Sequence, residues 1–250
     1  TAVKAQNVLA GIVTAFAHTC AILDDGTVKC WGHGTLGQLG YGNTSSKTSP
    51  DSSPINLGTG RTAIQIDGGD GHTCVILDDG SVKCWGYGFD GALGYGDYED
   101  KNSPDASPVD LGTGRTAVQI SCGSLNTCVI LDDGSVKCWG YGGKGALGYG
   151  NKSSKNSPDA SPVDLGTGRT AVQIAAGYEH TCVILDDGTV KCWGEGDNGI
   201  LGYGNETDKT SPDASPVNLG TGRTAVQISC GKYHTCVILD NGSVKCWGKN

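Results

Sequence analysis

The chain has 250 residues, 12 cysteines, no methionine and a net charge of −8. Twelve cysteines without a CxxC spacing or Cys/His clusters favour an oxidising compartment over zinc binding, so a secreted or cell-surface location is expected. The acidity argues against nucleic-acid partners, whose phosphates are neutralised by Lys and Arg, and no apolar run is long enough for membrane insertion.

Trp31, Trp85, Trp139, Trp193 and Trp247 are each 54 residues apart, as are the cysteine pairs, so repetition organises the whole chain. The segment Ser103 to Ile120 is identical to Ser157 to Ile174. Residues 1–250 are therefore read as a single domain of five repeats.

Aligned backward from Cys20, the N-terminal segment places Ile12 on Ile174 and Val3 on Leu165. Residues 1 to 15 thus match the second half of a repeat, and the C-terminal hairpin matches the first half. The expectation is that these two segments share one blade and close a ring.

Within a repeat, Thr181–Leu185 and Thr189–Trp193 read as a β-hairpin around Asp186-Asp187-Gly188, a three-residue loop with Gly in the left-handed position. Counting outward, Ile184 faces Val190, Val183 faces Lys191 and Cys182 faces Cys192. If Leu185 and Thr189 close the loop, the cysteines form a non-hydrogen-bonded pair with α-carbons roughly 4.5 Å apart. That is within disulfide reach. The expected disulfides join Cys20 to Cys30, Cys74 to Cys84, Cys128 to Cys138, Cys182 to Cys192 and Cys236 to Cys246, each contributing roughly 2.5–3 kcal/mol on the chain-entropy account. Cys122 and Cys230 are left over as candidate free thiols, at a position held by Gly68 and Ala176 elsewhere.

A glycine-rich loop follows each hairpin, then two short runs, Val217–Leu219 and Ala225–Ile228 in the last repeat. Four strands per period and no helical periodicity make an all-β fold, a β-propeller of four-stranded blades with five blades expected.

The run His180-Thr-Cys-Val-Ile-Leu-Asp-Asp-Gly-Thr-Val-Lys-Cys-Trp-Gly, followed by Gly199-Ile-Leu-Gly, resembles the repeat of the regulator of chromosome condensation family. Gly37-Gln38-Leu39-Gly40 matches the family's final motif outright. The resemblance implies a propeller, usually of seven blades. It leaves function open, since members include a nucleotide-exchange factor, a photoreceptor and secreted enzyme inhibitors. The cysteine staples and the acidity depart from nuclear or chromatin-bound members.

The stretch Gly86-Tyr87-Gly88-Phe89-Asp90-Gly91 fits the dinucleotide fingerprint without the helix that the fingerprint requires. His18, His72, His180 and His234 share one repeat position with Asn126, which suits a buried hydrogen-bonding role better than ligation. No catalytic, cofactor-binding or metal-binding residues are expected, nor enzymatic activity. Asn43, Asn151, Asn205 and Asn241 lie in glycosylation sequons.

Positions that vary on this constant scaffold carry the functional signal. They comprise His33, Tyr87, Phe89, Asp90, Tyr141 and Lys144 after the Trp-Gly pairs. Before the His-Thr-Cys leads they comprise Tyr178, Glu179, Lys232 and Tyr233. Aromatic residues of this kind anchor interfaces. The expected function is a non-enzymatic extracellular scaffold that binds a protein partner through one propeller face. The alternatives are self-assembly as a filament or sheath subunit, and a multivalent glycan-binding lectin, though a lectin's pockets should be alike and these loops differ.

Overall fold

The protein is described by a computed structural model that places residues 11–249. These form five antiparallel sheets of three strands each. The first contains Ile12–Thr14 (β1), His18–Ile22 (β2) and Val28–Gly32 (β3), and the second Ala63–Gly68 (β4), His72–Leu77 (β5) and Val82–Gly86 (β6). Ala117–Cys122 (β7), Asn126–Leu131 (β8) and Val136–Gly140 (β9) build the third. The fourth has Ala171–Ala176 (β10), His180–Leu185 (β11) and Val190–Gly194 (β12); the fifth has Ala225–Cys230 (β13), His234–Leu239 (β14) and Val244–Gly248 (β15). Among the described residues the only helical pieces are 3-10 turns of three residues, such as Phe89–Gly91.

The hairpin follows the sequence's turn chemistry. Leu185 N–H donates to the Thr189 carbonyl at 2.8 Å, and Gly188 sits at φ 76°, where a side chain is disfavoured. The Asp187 carboxylate caps the turn by accepting from the Thr189 amide at 3.0 Å and its hydroxyl at 2.6 Å. Register then runs Ile184 to Val190, Val183 to Lys191 and Cys182 to Cys192. All five hairpin cysteine pairs are bonded, with α-carbons 4.1 Å apart.

Both faces of an inner sheet are covered, which is why every residue of β5, β8 and β11 is buried. One face offers Cys74, Ile76, Val82 and Cys84 to the next sheet, which answers with Ile120, Val129, Leu131 and Trp139. Leu93, Val109 and Leu111 from the intervening loop fill the gap. The same arrangement recurs at each junction between consecutive sheets.

Two sequence expectations change here. The run Val217–Leu219 is not a ladder strand. It lies beside β12 through a bond from Val217 N–H to the Val190 carbonyl at 2.8 Å, and Gly220 at φ 100° ends it. Preceding Pro216 has no N–H to extend the pairing. Each sheet is therefore three strands plus an irregular edge.

The second change concerns grouping. The run ending at Cys230 pairs with the hairpin that follows it, because a three-residue connection to His234 brings the two antiparallel. Accordingly β1 pairs with β2, Val13 opposite Cys20, and not with the Cys236 to Cys246 hairpin, which already has β13. The rest of the expected shared blade falls on residues 1–10, outside the described residues. Among the described residues, none covers the outer faces of the first and fifth sheets. Ile12 is 67% exposed where its counterpart Ile120 is 2%, and Val244 is 62% exposed where Val190 is 0%.

Candidate interaction face

The connections between the first and second strands of all five sheets converge on one cavity of about 290 Å³. Its wall includes Phe16, Asp70, Ser124, Tyr178 and Lys232 at the turn tips, with Cys122 and Cys230 at the strand ends. Each turn is closed locally, as when Gly69 N–H donates to the His72 carbonyl at 3.0 Å.

The two sets of variable positions meet on this face through a repeated backbone bond. Tyr87 N–H donates to the Gly71 carbonyl at 2.9 Å, and Tyr141 N–H to the Leu125 carbonyl at 2.8 Å. His33 with Ala17, Glu195 with Glu179 and Lys249 with Tyr233 repeat the tie, each at 2.8 Å. Residues that follow Trp-Gly are thereby held beside those that precede the His-Thr-Cys lead of the same hairpin, although roughly 15 residues of chain separate them.

Contacts differ from sheet to sheet. Tyr87 stacks on Phe89 at 5.7 Å, and Phe89 stays mostly exposed. Tyr178 and Tyr233 meet at 5.8 Å, with the Lys232 ammonium 4.5 Å from the first ring and 5.2 Å from the second. Lys249 adds a further cation 5.4 Å from Tyr233. Lys144 pairs with Asp208 at 3.8 Å and lies 4.0 Å from Asp197, in the next loop. Asp90 and Lys144 are held at φ 58° and 57°, which side chains adopt at a cost. Asp90 accepts from Ser154 at 3.3 Å.

Charge is unevenly distributed. Burial raises the Glu179 carboxyl above its ordinary range, against the pull of Lys144, and Asp208 and Asp197 add to the rise. Glu195 is raised by burial, then by Glu179 and Asp197. The fourth sheet thus presents crowded carboxylates while the fifth presents lysines over aromatic rings.

Under this face lie the histidines. His72 Nε2 is 3.0 Å from Thr127 Oγ1 in the next sheet, and Thr127 donates its one proton to the Ala92 carbonyl at 3.0 Å. The imidazole must therefore be the donor, from Nε2. Its Nδ1, like those of His18 and His180, is buried with no partner among the described protein atoms. Burial, then the neighbouring His18, pushes His72 down to about 3.

His72, Cys74 and Cys122 bring ligand-type atoms within 4.8 Å of one another, as do His180, Cys182 and Cys230. Cys74 and Cys182 are committed to disulfides, so each group falls short of a four-ligand zinc set. The stretch from Gly86 to Gly91 ends in a three-residue 3-10 turn, Phe89–Gly91, which supplies no helix N-terminus of use to a dinucleotide.

The sequons have a structural role of their own. Asn43, Asn151 and Asn205 each accept from the amide two residues on, at 3.0, 2.9 and 3.1 Å, and Asp97 does the same in the second repeat at 3.1 Å. Asn241 caps the last hairpin as Asp187 caps the fourth. The position requires a short side-chain acceptor.

What sequence reasoning missed is the backbone tie and the Lys232 stack. The constant Trp-Gly spacing marks the first, since it fixes where the variable residue leaves the strand.

The model of the regulator of chromosome condensation (RCC1) repeat matches residues 25–76, 79–130 and 133–184, and a second model of the same repeat matches residues 63–92, 117–146, 171–200 and 225–250. The chain is 30% identical over 233 residues to the ultraviolet-B receptor UVR8 of Arabidopsis thaliana, covering 93% of this chain and 51% of the receptor. It is 31% identical over 235 residues to the human E3 ubiquitin-protein ligase HERC2, covering 93% of this chain and 5% of the ligase. The chain thus spans about half the length of the first relative and a small part of the second.

In solved structures the same fold occurs in yeast RCC1 (Prp20), with a TM-score of 0.81, 20% identity and coverage of 96% of this chain and 55% of that one. Human WBSCR16 gives a TM-score of 0.80 at 22% identity, covering 95% and 61%. The repeats, their period and the propeller architecture place the chain in the regulator of chromosome condensation (RCC1) repeat family.

Proposed function

We propose that the chain is a non-enzymatic scaffold that binds a protein partner through the face around the central cavity, in an oxidising extracellular setting. The observation that carries this reading is the repeated backbone tie, which gathers the variable aromatic and charged residues of every sheet onto one face. Tyr178, Lys232 and Tyr233 form one anchor, and Tyr87 with Phe89 the other. Protein binding is also what is described for the yeast relative, one structure of which holds Kap60 and another of which is described with binding to Gsp1p and histones. Five disulfides favour the extracellular setting, and no helix among the described residues is long and apolar enough to cross a membrane.

The test is capture from the extracellular fraction of the source cells with the chain immobilised. Replacing Tyr87, Phe89, Tyr178 and Tyr233 by Ala should abolish capture of the partner at unchanged melting temperature. Unchanged capture, or capture abolished by deglycosylating the extract, overturns the reading.

A second reading, self-assembly into a filament or sheath, draws on the open end faces at Ile12 and Val244. Light scattering across a concentration series tests it, with a constant monomer mass as the outcome against it.

A further inference from the structure

We propose that Cys122 and Cys230 are exchange thiols, each able to attack the disulfide of the preceding sheet and so turn a staple within one sheet into a clasp between two. Cys74–Cys84 would become Cys74–Cys122, and Cys182–Cys192 would become Cys182–Cys230.

The placement is direct. Cys122 ends β7 and packs in the same core as Cys74 and Cys84, across the junction of the second and third sheets. Cys230 ends β13 and packs against Cys182 and Cys192, across the junction of the fourth and fifth. The Cys122 sulfur lies within 4.8 Å of the Cys74 sulfur, and the Cys230 sulfur within 4.8 Å of the Cys182 sulfur. Closing to a bond of about 2.05 Å therefore takes a movement of less than about 3 Å. Thr235 Oγ1 marks the meeting point at the second site, 3.8 Å from the sulfurs of both Cys182 and Cys230.

The arrangement occurs twice, and its absence elsewhere is patterned. At the other two junctions the same strand position holds Gly68 and Ala176, beside His18 and Asn126. A need for a small packing residue is met by glycine or alanine; a sulfur within 4.8 Å of a neighbouring cystine adds reactivity. Both thiols also border the central cavity, which gives small reagents a path to them.

The step balances without an oxidant or reductant. Cys122 gives up its proton, the thiolate forms a bond to Cys74 Sγ as the Cys74–Cys84 bond breaks, and Cys84 leaves as a thiolate that takes up a proton. Cys192 is released in the same way at the other site. The numbers of thiols and disulfides stay constant. Burial holds the exchange in check by raising both thiols, Cys230 up to about 12 and Cys122 well above its ordinary value, so little thiolate exists near neutrality.

The experiment uses the whole oxidised chain at pH 7.5, 8.5 and 9.5, quenched with acid, labelled with N-ethylmaleimide and mapped by non-reducing peptide mass spectrometry. Expected are Cys74–Cys122 and Cys182–Cys230 peptides with the label on Cys84 and Cys192, accumulating about tenfold faster per pH unit. Cys122→Ser should remove the first clasp, keeping Cys74–Cys84, and leave the second; Cys230→Ser should do the reverse, keeping Cys182–Cys192. Label confined to Cys122 and Cys230 after prolonged incubation at pH 9.5 overturns the proposal. So does scattered pairing that includes Cys20, Cys128 or a Cys122–Cys230 link.

Discussion

His72 donates from Nε2 to the hydroxyl of Thr127, 3.0 Å away in the next sheet, and Thr127 passes its proton on to the Ala92 carbonyl. The same relay joins His18, Thr73 and Gln38, and again His180, Thr235 and Ile200. Thr127→Val breaks two buried bonds and strands His72 Nε2, while the Ala92 carbonyl keeps its bond from Trp139, with an expected loss of about 1–3 kcal/mol in urea denaturation. The third sheet lacks the relay because Asn126 does not reach Thr181, so Asn126→His should add about 0.5–1.5 kcal/mol.

Acid should weaken the protein through these histidines. Burial lowers His18 and His180 to about 4 and His72 to about 3, against an unfolded value of about 6.5. Between those limits the unfolded chain binds protons that the folded chain refuses, so stability falls as pH drops from about 6.5 toward 4.

Asp67 has the opposite sign. Burial raises it to about 6 despite bonds from the Cys122 and Gly68 amides, so its contribution is complete below pH 3.8 and lost as pH rises through 6. Melting temperatures at pH 4.5, 5.5 and 6.5 should rise with pH. Asp67→Asn should steepen that rise, and a flat profile would refute the assignment.

Gly94 ends the Gly-Ala-Leu-Gly motif at φ 83°, and a Cβ there would stand 2.6 Å from Trp139 Nε1. That nitrogen is fixed by its bond to the Ala92 carbonyl at 3.0 Å. Gly94→Ala should cost about 2–4 kcal/mol from backbone strain and overpacking together. Indole fluorescence during unfolding would report it.

Tyr149 ties the long loop to the hairpin, its hydroxyl accepting from Cys138 N–H at 3.0 Å and donating to the Cys138 carbonyl at 3.2 Å. Burial pushes the phenol up to about 12, which keeps the donor protonated at any working pH. Tyr149→Phe should cost about 1–2 kcal/mol and speed hydrogen exchange in residues 149–155 more than elsewhere.

The hairpins were legible because turn chemistry fixes register, and register fixes which cysteines face each other. Strand grouping was less so. A period of 54 residues says nothing about where one unit ends, and the short Gly177 to Glu179 connection, which sets the pairing of β10 with β11, looked like any other glycine-rich turn. For the candidate face, variability named residues such as Tyr87 and Tyr178. That the two sets share a face depends on bonds such as Tyr87 to Gly71, which involve backbone and leave no mark on residue type.

The histidine relay runs in one direction only: the first, second and fourth sheets each offer a donor forward to a threonine of the next. A unit that carries both the histidine and the threonine, as the second and fourth do, is consequently a plug at one side and a socket at the other, whereas the third, with Asn126, is a socket only. An in-register duplication therefore inserts its own matching joint, whatever its position in the row. A copied unit of that kind needs no adjustment in its neighbours.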